Sequence, residues 1–217
     1  MPTVAIIGAG PLGRWLALSA ARAGYRVLLE DVMPANLHHA QEYIRQQFSA
    51  EMYAGSSVQE SGGENAGPST PVAAATSAQD DKFAVDDNIE VDDGTAGVAF
   101  VSTIECAVRE ADLAIDCVPD ELESKLEILW LLDRMAPPRT VFATPTTRLS
   151  ITDLAACTYR AEKCVAIAVE ASALAAGASA EILLRTNPKT AKETVALVET
   201  FWRKLGFTPR FEPDPAS

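Results

Sequence analysis

The first thirty-one residues constrain the fold most. An apolar, β-branched run, Thr3 to Ile7 (TVAII), enters Gly8-Ala9-Gly10-Pro11-Leu12-Gly13, and a second run closes on Glu30-Asp31. A short run of this kind suits a strand covered on both faces, as in a parallel sheet. Gly8 permits a tight turn, Gly10 lets the backbone approach a bound group, and Gly13 lets the following helix pack close to the strand. The spacing predicts a helix from about Pro11 to Ala23, with Pro11 at a first position that needs no N–H. The first turn, Pro11 and Leu12 included, would aim unpaired N–H groups and the positive dipole end at an anion. Asp31 stands 18 residues beyond Gly13, the distance at which a strand-end carboxylate accepts hydrogen bonds from ribose hydroxyls. Strand, glycine turn, helix and acid together point to a dinucleotide held by Gly8, Gly10, Pro11, Leu12, Gly13 and Asp31. NAD is expected over NADP: Glu30 and Asp31 would repel a 2′-phosphate, and Val32-Met33-Pro34 offers no arginine to receive one.

The 217 residues suffice for one sizeable core, and their net charge of −12 argues against nucleic acid or an anionic membrane as a partner. No apolar stretch approaches a membrane span, and the N-terminal apolar run follows no basic region, so the chain reads as cytoplasmic. Cys106, Cys117, Cys157 and Cys164 show no CxxC spacing and read as reduced core thiols, with no metal site implied.

Beyond Asp31, Pro34 to Glu51 carries apolar residues at helical spacing. From about Met52 to Gly97, Gly, Ser, Pro, Ala and acidic residues dominate, which reads as a mobile acidic insertion. Strands are then expected at Val98–Ser102, Asp112–Val118, Thr140–Thr144, Cys164–Val169, Glu181–Arg185 and Phe207–Phe211. Helices are expected at Ile104–Glu110, Glu121–Met135, Ile151–Ala156 and Lys189–Leu205, the last ended by Gly206. Strands alternating with helices after such a fingerprint mean an α/β fold with a doubly wound, mostly parallel Rossmann-type sheet. One domain is expected over residues 1–211, with a tail at 212–217.

Laid out this way, the chain resembles the NAD-binding domain of the 3-hydroxyacyl-CoA dehydrogenases. The resemblance rests on VAIIGAGPLGRWLALSAARAGYRVLLED, EADLAIDCVPDELESK and LDRMAPPRTVFATPTTRLSI. The family shows an acid-Ala-Val-Pro-Glu stretch after its fourth strand and a lysine five residues on. Those places read Asp116-Cys117-Val118-Pro119-Asp120 and Lys125, so the resemblance implies that Val118, Asp120 and Lys125 border the nicotinamide ribose. It also implies oxidation of a 3-hydroxyacyl-CoA to the 3-ketoacyl-CoA, with an acyl-CoA or a partner protein as further ligand.

The family's catalytic residues are matched less well. A histidine takes the hydroxyl proton there, a glutamate orients it, and Ser and Asn side chains hold the substrate oxygen. The histidine place is Ala168, the asparagine after it Ala171, and the glutamate place falls near Ile182. The Asn-Thr-Ser-Ser loop reads Pro145-Thr146-Thr147-Arg148, and Thr147 alone carries over as a catalytic hydroxyl. His38 and His39, the two histidines, follow the second strand on the adenosine side. The family's helical second domain has no counterpart before Ser217, and the surface it covers is expected to support self-association. Three readings follow: a dehydrogenase working with altered residues or another chain; a non-catalytic NAD(H)-sensing or docking module; and a reductase using Glu170 or Lys125 as proton donor.

Overall fold

The run TVAII forms strand β1 (Thr3–Ile7), and all five residues are buried because helices cover both faces. Val4 and Ile6 share one core with α1 (Pro11–Arg22), α2 (Pro34–Ser56) and α6 (Lys192–Lys204). Ala5 and Ile7 share the other with α3 (Ile104–Val108), α4 (Leu122–Met135) and α5 (Ile151–Ala155). The period of two along one strand thus feeds two separate helical layers. The computed structural model describes residues 1–56, 90–91, 97–168 and 181–215.

Strand β1 lies between β2 (Arg26–Glu30) and β5 (Leu113–Asp116), parallel to both, and Ile7 pairs with Glu30 on one side and Asp116 on the other. Beyond β2 come β4 (Val98–Val101) and an antiparallel edge, β3 (Glu90–Val91). Beyond β5 come β6 (Val141–Pro145) and β7 (Cys164–Ile167), both parallel. Strand β8 (Glu181–Thr186) then runs antiparallel to β7, and β9 (Thr208–Pro213) runs parallel to β8. The sheet order is β3-β4-β2-β1-β5-β6-β7-β8-β9. The chain therefore reverses its direction of winding beside β1, and in such sheets ligands bind outside the carboxyl ends of the strands at that switch point. This is the expected doubly wound, mostly parallel α/β architecture.

Boundaries differ from expectation where pairing outweighs local pattern. Helix α2 continues to Ser56, and Glu90–Val91 pair with β4, so both ends of the span read as an acidic loop carry regular structure. Residues 57–89 and 92–96 of that span lie outside the described residues, as do Glu170 and Ala171. Helix α6 begins at Lys192 rather than Lys189, because Asn187 and Thr190 form a turn in which the Asn187 N–H donates to Thr190 Oγ1 at 3.0 Å. Strand β9 runs past Phe211 into the expected tail, since Pro213 stays in register with Thr186. No described helix is long and apolar enough to cross a membrane.

Candidate functional site

Turns leaving the carboxyl ends of β1, β2, β5 and β6 surround a cleft of about 840 Å3. Glu30, Asp31, Val32 and Asn36 line one end, Gly8, Gly10, Pro11 and Leu12 the middle, and Cys117 to Asp120 with Pro145 to Arg148 the other end.

The middle is shaped by glycines. Gly8 adopts φ +105°, and a β-carbon there would stand 3.2 Å from the Cys117 carbonyl group. At Gly13 a β-carbon would lie 1.8 Å from the Gly8 carbonyl oxygen, so α1 crosses β1 at a distance that only glycine permits. At Gly10 it would meet nothing within 4 Å, which leaves the backbone open to the cleft. Helix α1 starts with Gly10 at the N-cap and Pro11 next, with no side chain capping it. Its first-turn N–H groups need an acceptor, and a pyrophosphate supplies one.

At the first end, Asp31 ties the turns together. Its Oδ2 accepts the Ala9 N–H at 2.8 Å, and its Oδ1 accepts the Met33 N–H at 2.8 Å. Asn36 Nδ2 reaches both oxygens, at 3.2 and 3.1 Å. A carboxylate has about four acceptor sites, so Asp31 retains little beyond these donors for a ribose hydroxyl. Asn36 went unnoticed in the sequence; a lone polar residue in a first helical turn carries no signal of its own. Beside it, Glu30 is 2% exposed and its Oε1 has no hydrogen-bond partner. Burial, with the Asp31 charge in second place, raises its carboxyl from 4.5 to about 7. The fit to a dinucleotide is therefore good at the glycine turn and at the acidic end that opposes a 2′-phosphate.

At the other end, Val118, Asp120 and Thr147 all line the cleft. Thr147 N–H donates to Asp120 Oδ2 at 3.3 Å, while Asp120 Oδ1 is buried without a partner. Lys125 departs from expectation. It does not line the cleft but lies beneath it, fully buried, with Nζ 2.5 Å from Asp116 Oδ1. Burial pushes the Asp116 carboxyl up, and the Lys125 ammonium only partly offsets this. Cys117 lies in the cleft wall, but burial and then the Asp116 charge raise its thiol, which keeps it protonated.

Ala168 follows β7, its N–H donating to the Leu183 carbonyl at 2.8 Å. Ile182 is fully buried in the core shared with α1 and α6, and Glu181 is exposed, 3.7 Å from Arg210. His38 and His39 are exposed on α2 and are not among the residues lining the cleft. All four cysteines are free.

Comparison with known proteins gives the same architecture a lineage. A probable 3-hydroxybutyryl-CoA dehydrogenase of Bacillus subtilis is 25% identical over 207 residues, 94% of this chain and 60% of the relative. The 5-formyl-3-hydroxy-2-methylpyridine 4-carboxylate 5-dehydrogenase of Mesorhizobium japonicum is 27% identical over 95% of this chain and 55% of its own length. The chain thus spans little more than half of each. Among solved structures, (S)-3-hydroxybutyryl-CoA dehydrogenase from Ralstonia eutropha shares the fold with a TM-score of 0.73 at 19% identity, covering 99% of this chain and 64% of that one. Residues 3–210 match the family described as 3-hydroxyacyl-CoA dehydrogenase, NAD binding domain, and the chain belongs to that family, with NAD as its cofactor.

Proposed function

We propose that this chain binds NAD(H) as a unit of dehydrogenase descent in which oxidation of a 3-hydroxyacyl-CoA is impaired. The reading is supported by the resemblance, which puts the family's histidine place at Ala168 and its glutamate place near Ile182, a side chain sealed in the core. Oxidising a secondary alcohol to a ketone removes a hydride and the hydroxyl proton. NAD, when bound, supplies the hydride acceptor. The proton needs a base with a pKa near the working pH and in hydrogen-bond reach. No histidine lines the cleft among the described residues, and Lys125 is enclosed with Asp116. Missing such a base costs a factor of about 10² to 10⁴ in rate.

The remaining groups have binding roles. The glycine turn and the first turn of α1 receive the pyrophosphate. Asp31 holds the adenosine-side turns together, and Val118 and Asp120 form the wall at the nicotinamide end. Thr147 places its backbone, and with it the loop after β6, against that wall. Lys125 acts from below by neutralising Asp116 at the end of β5.

The test is to mix the purified protein with NADH and acetoacetyl-CoA while following nicotinamide absorbance, and to titrate NADH by calorimetry. Micromolar NADH binding with turnover at least 10²-fold below ordinary dehydrogenase rates is expected. Ordinary turnover would overturn the impaired reading, and absence of heat with NADH would overturn the whole.

A further inference from the structure

The loop that follows β6 carries an arginine where the family motif has its last serine, and its surroundings hold that side chain at the cleft. Thr146 N–H donates to the Ile167 carbonyl at 3.0 Å, and Thr146 Oγ1 accepts the Leu149 N–H at 3.0 Å. Thr147 N–H is tied to Asp120, so the loop is fixed from three sides. Arg148 Nη2 donates to the Asp120 carbonyl at 3.0 Å, and its Nε stands 3.9 Å from Asp120 Oδ2. Only one of its five N–H donors is thereby engaged within hydrogen-bond distance. The side chain lines the cleft and is 75% exposed. From β8, Arg185 Nη1 reaches the Thr147 carbonyl at 3.5 Å, adding a second guanidinium behind the same loop.

Among the described residues, Arg148 and Asp120 are the charged side chains that line this end of the cleft, while Arg185 stands behind the loop and Asp116 and Lys125 cancel beneath. A planar guanidinium fixed on one edge and open on the other matches a carboxylate in two-point contact.

We propose that the nicotinamide end of the cleft takes a small carboxylic acid, an oxo or hydroxy acid whose carboxylate is received by Arg148. This rests on the preceding reading of that end as the nicotinamide end. It replaces the thioester of an acyl-CoA with a free carboxylate as the group recognised.

The probe is acetoacetate, with methyl acetoacetate and acetoacetyl-CoA as comparators, titrated by calorimetry into protein saturated with NADH. Acetoacetate is expected to bind, with its affinity falling about 10-fold or more in Arg148→Gln and only partly restored in Arg148→Lys, which keeps the charge but not the two-point contact. Methyl acetoacetate should bind more weakly and with no dependence on residue 148. The inference is overturned if acetoacetate binds both proteins equally or not at all, if NADH affinity falls as far as acetoacetate affinity in Arg148→Gln, or if acetoacetyl-CoA binds in its place. Failure of NADH itself to bind would instead bring down the cofactor reading, a distinct result.

Discussion

The carbonyl oxygen of Gly8 and the α-carbon of Gly13 are in van der Waals contact across the first turn, close enough that a β-carbon on Gly13 would come within 1.8 Å of that oxygen. The contact joins β1 to α1, because Gly8 directly follows β1 and Gly13 sits on the first turn of α1. No side-chain movement relieves it, since the opposing atom is backbone. Gly13→Ala should therefore displace α1, lower stability by about 1–3 kcal/mol and weaken NADH binding at least ~10-fold. Urea denaturation and calorimetric titration check the two effects. Unchanged NADH affinity would show that helix placement does not govern the cradle.

Glu30 should make stability depend on pH. Its folded-state pKa of about 7 lies above its ordinary 4.5, so the native state holds the proton more tightly than the unfolded chain. The resulting contribution is fully present below pH 4.5, fades as pH rises, and is lost above about 7. A shift of this size corresponds to roughly 3 kcal/mol as an order of magnitude. Glu30→Gln, which cannot ionise, should flatten the fall in urea midpoint between pH 5 and pH 8 and be relatively more stable at pH 8. Parallel slopes for the two proteins would contradict the assignment.

The buried pair of Lys125 and Asp116 joins α4 to β5 with neither side chain in contact with solvent. Removing one partner strands the other charge, a loss of about 3–5 kcal/mol. Lys125→Met should therefore be strongly destabilising, and Asp116→Asn similarly so. The double variant should be less damaged than the sum of the two, because no charge is then left alone. Urea denaturation of all four proteins gives the coupling; additive losses would mean that the pair does not act as a unit.

Much of this fold was legible because each buried strand is a short apolar run set off by polar turns. The glycine turn was legible because Gly8 and Gly13 serve backbone geometry that other residues cannot adopt. The polar interior was harder to read. Lys125 sits among acidic residues on α4, a pattern that suggests solvent, and only the placement of α4 over Asp116 encloses it. Glu30 ends the run RVLLE and looks like a solvated strand end, yet it is covered where β1, β2 and β4 meet. In both cases burial comes from an element distant in sequence, which local periodicity does not register. The same holds for Asp214, placed in a proline-containing tail that pattern alone leaves unstructured.

Asp214 fastens the end of the described chain to the loop that shapes the cleft. The pairing of β9 with β8 carries it there, and its own N–H donates to the Thr186 carbonyl at 2.9 Å. Its Oδ2 accepts the Ser150 hydroxyl at 2.6 Å and the Thr152 N–H at 2.9 Å, while Ser150 Oγ accepts the Asp153 N–H at 3.2 Å. The carboxylate and the serine together satisfy the first turn of α5, and the negative charge suits that helix end. Asp214→Ala should remove about 1–2 kcal/mol. Since Ser150, the N-cap of α5, directly follows Leu149, the helix's first turn also anchors the loop bearing Thr147 and Arg148. Amide exchange at Thr152 and Asp153 should accelerate by ~10-fold or more in the variant, with little change in α1 on the far side of the sheet. Exchange that rose equally in both helices would mean that the tail supports the domain as a whole rather than this loop.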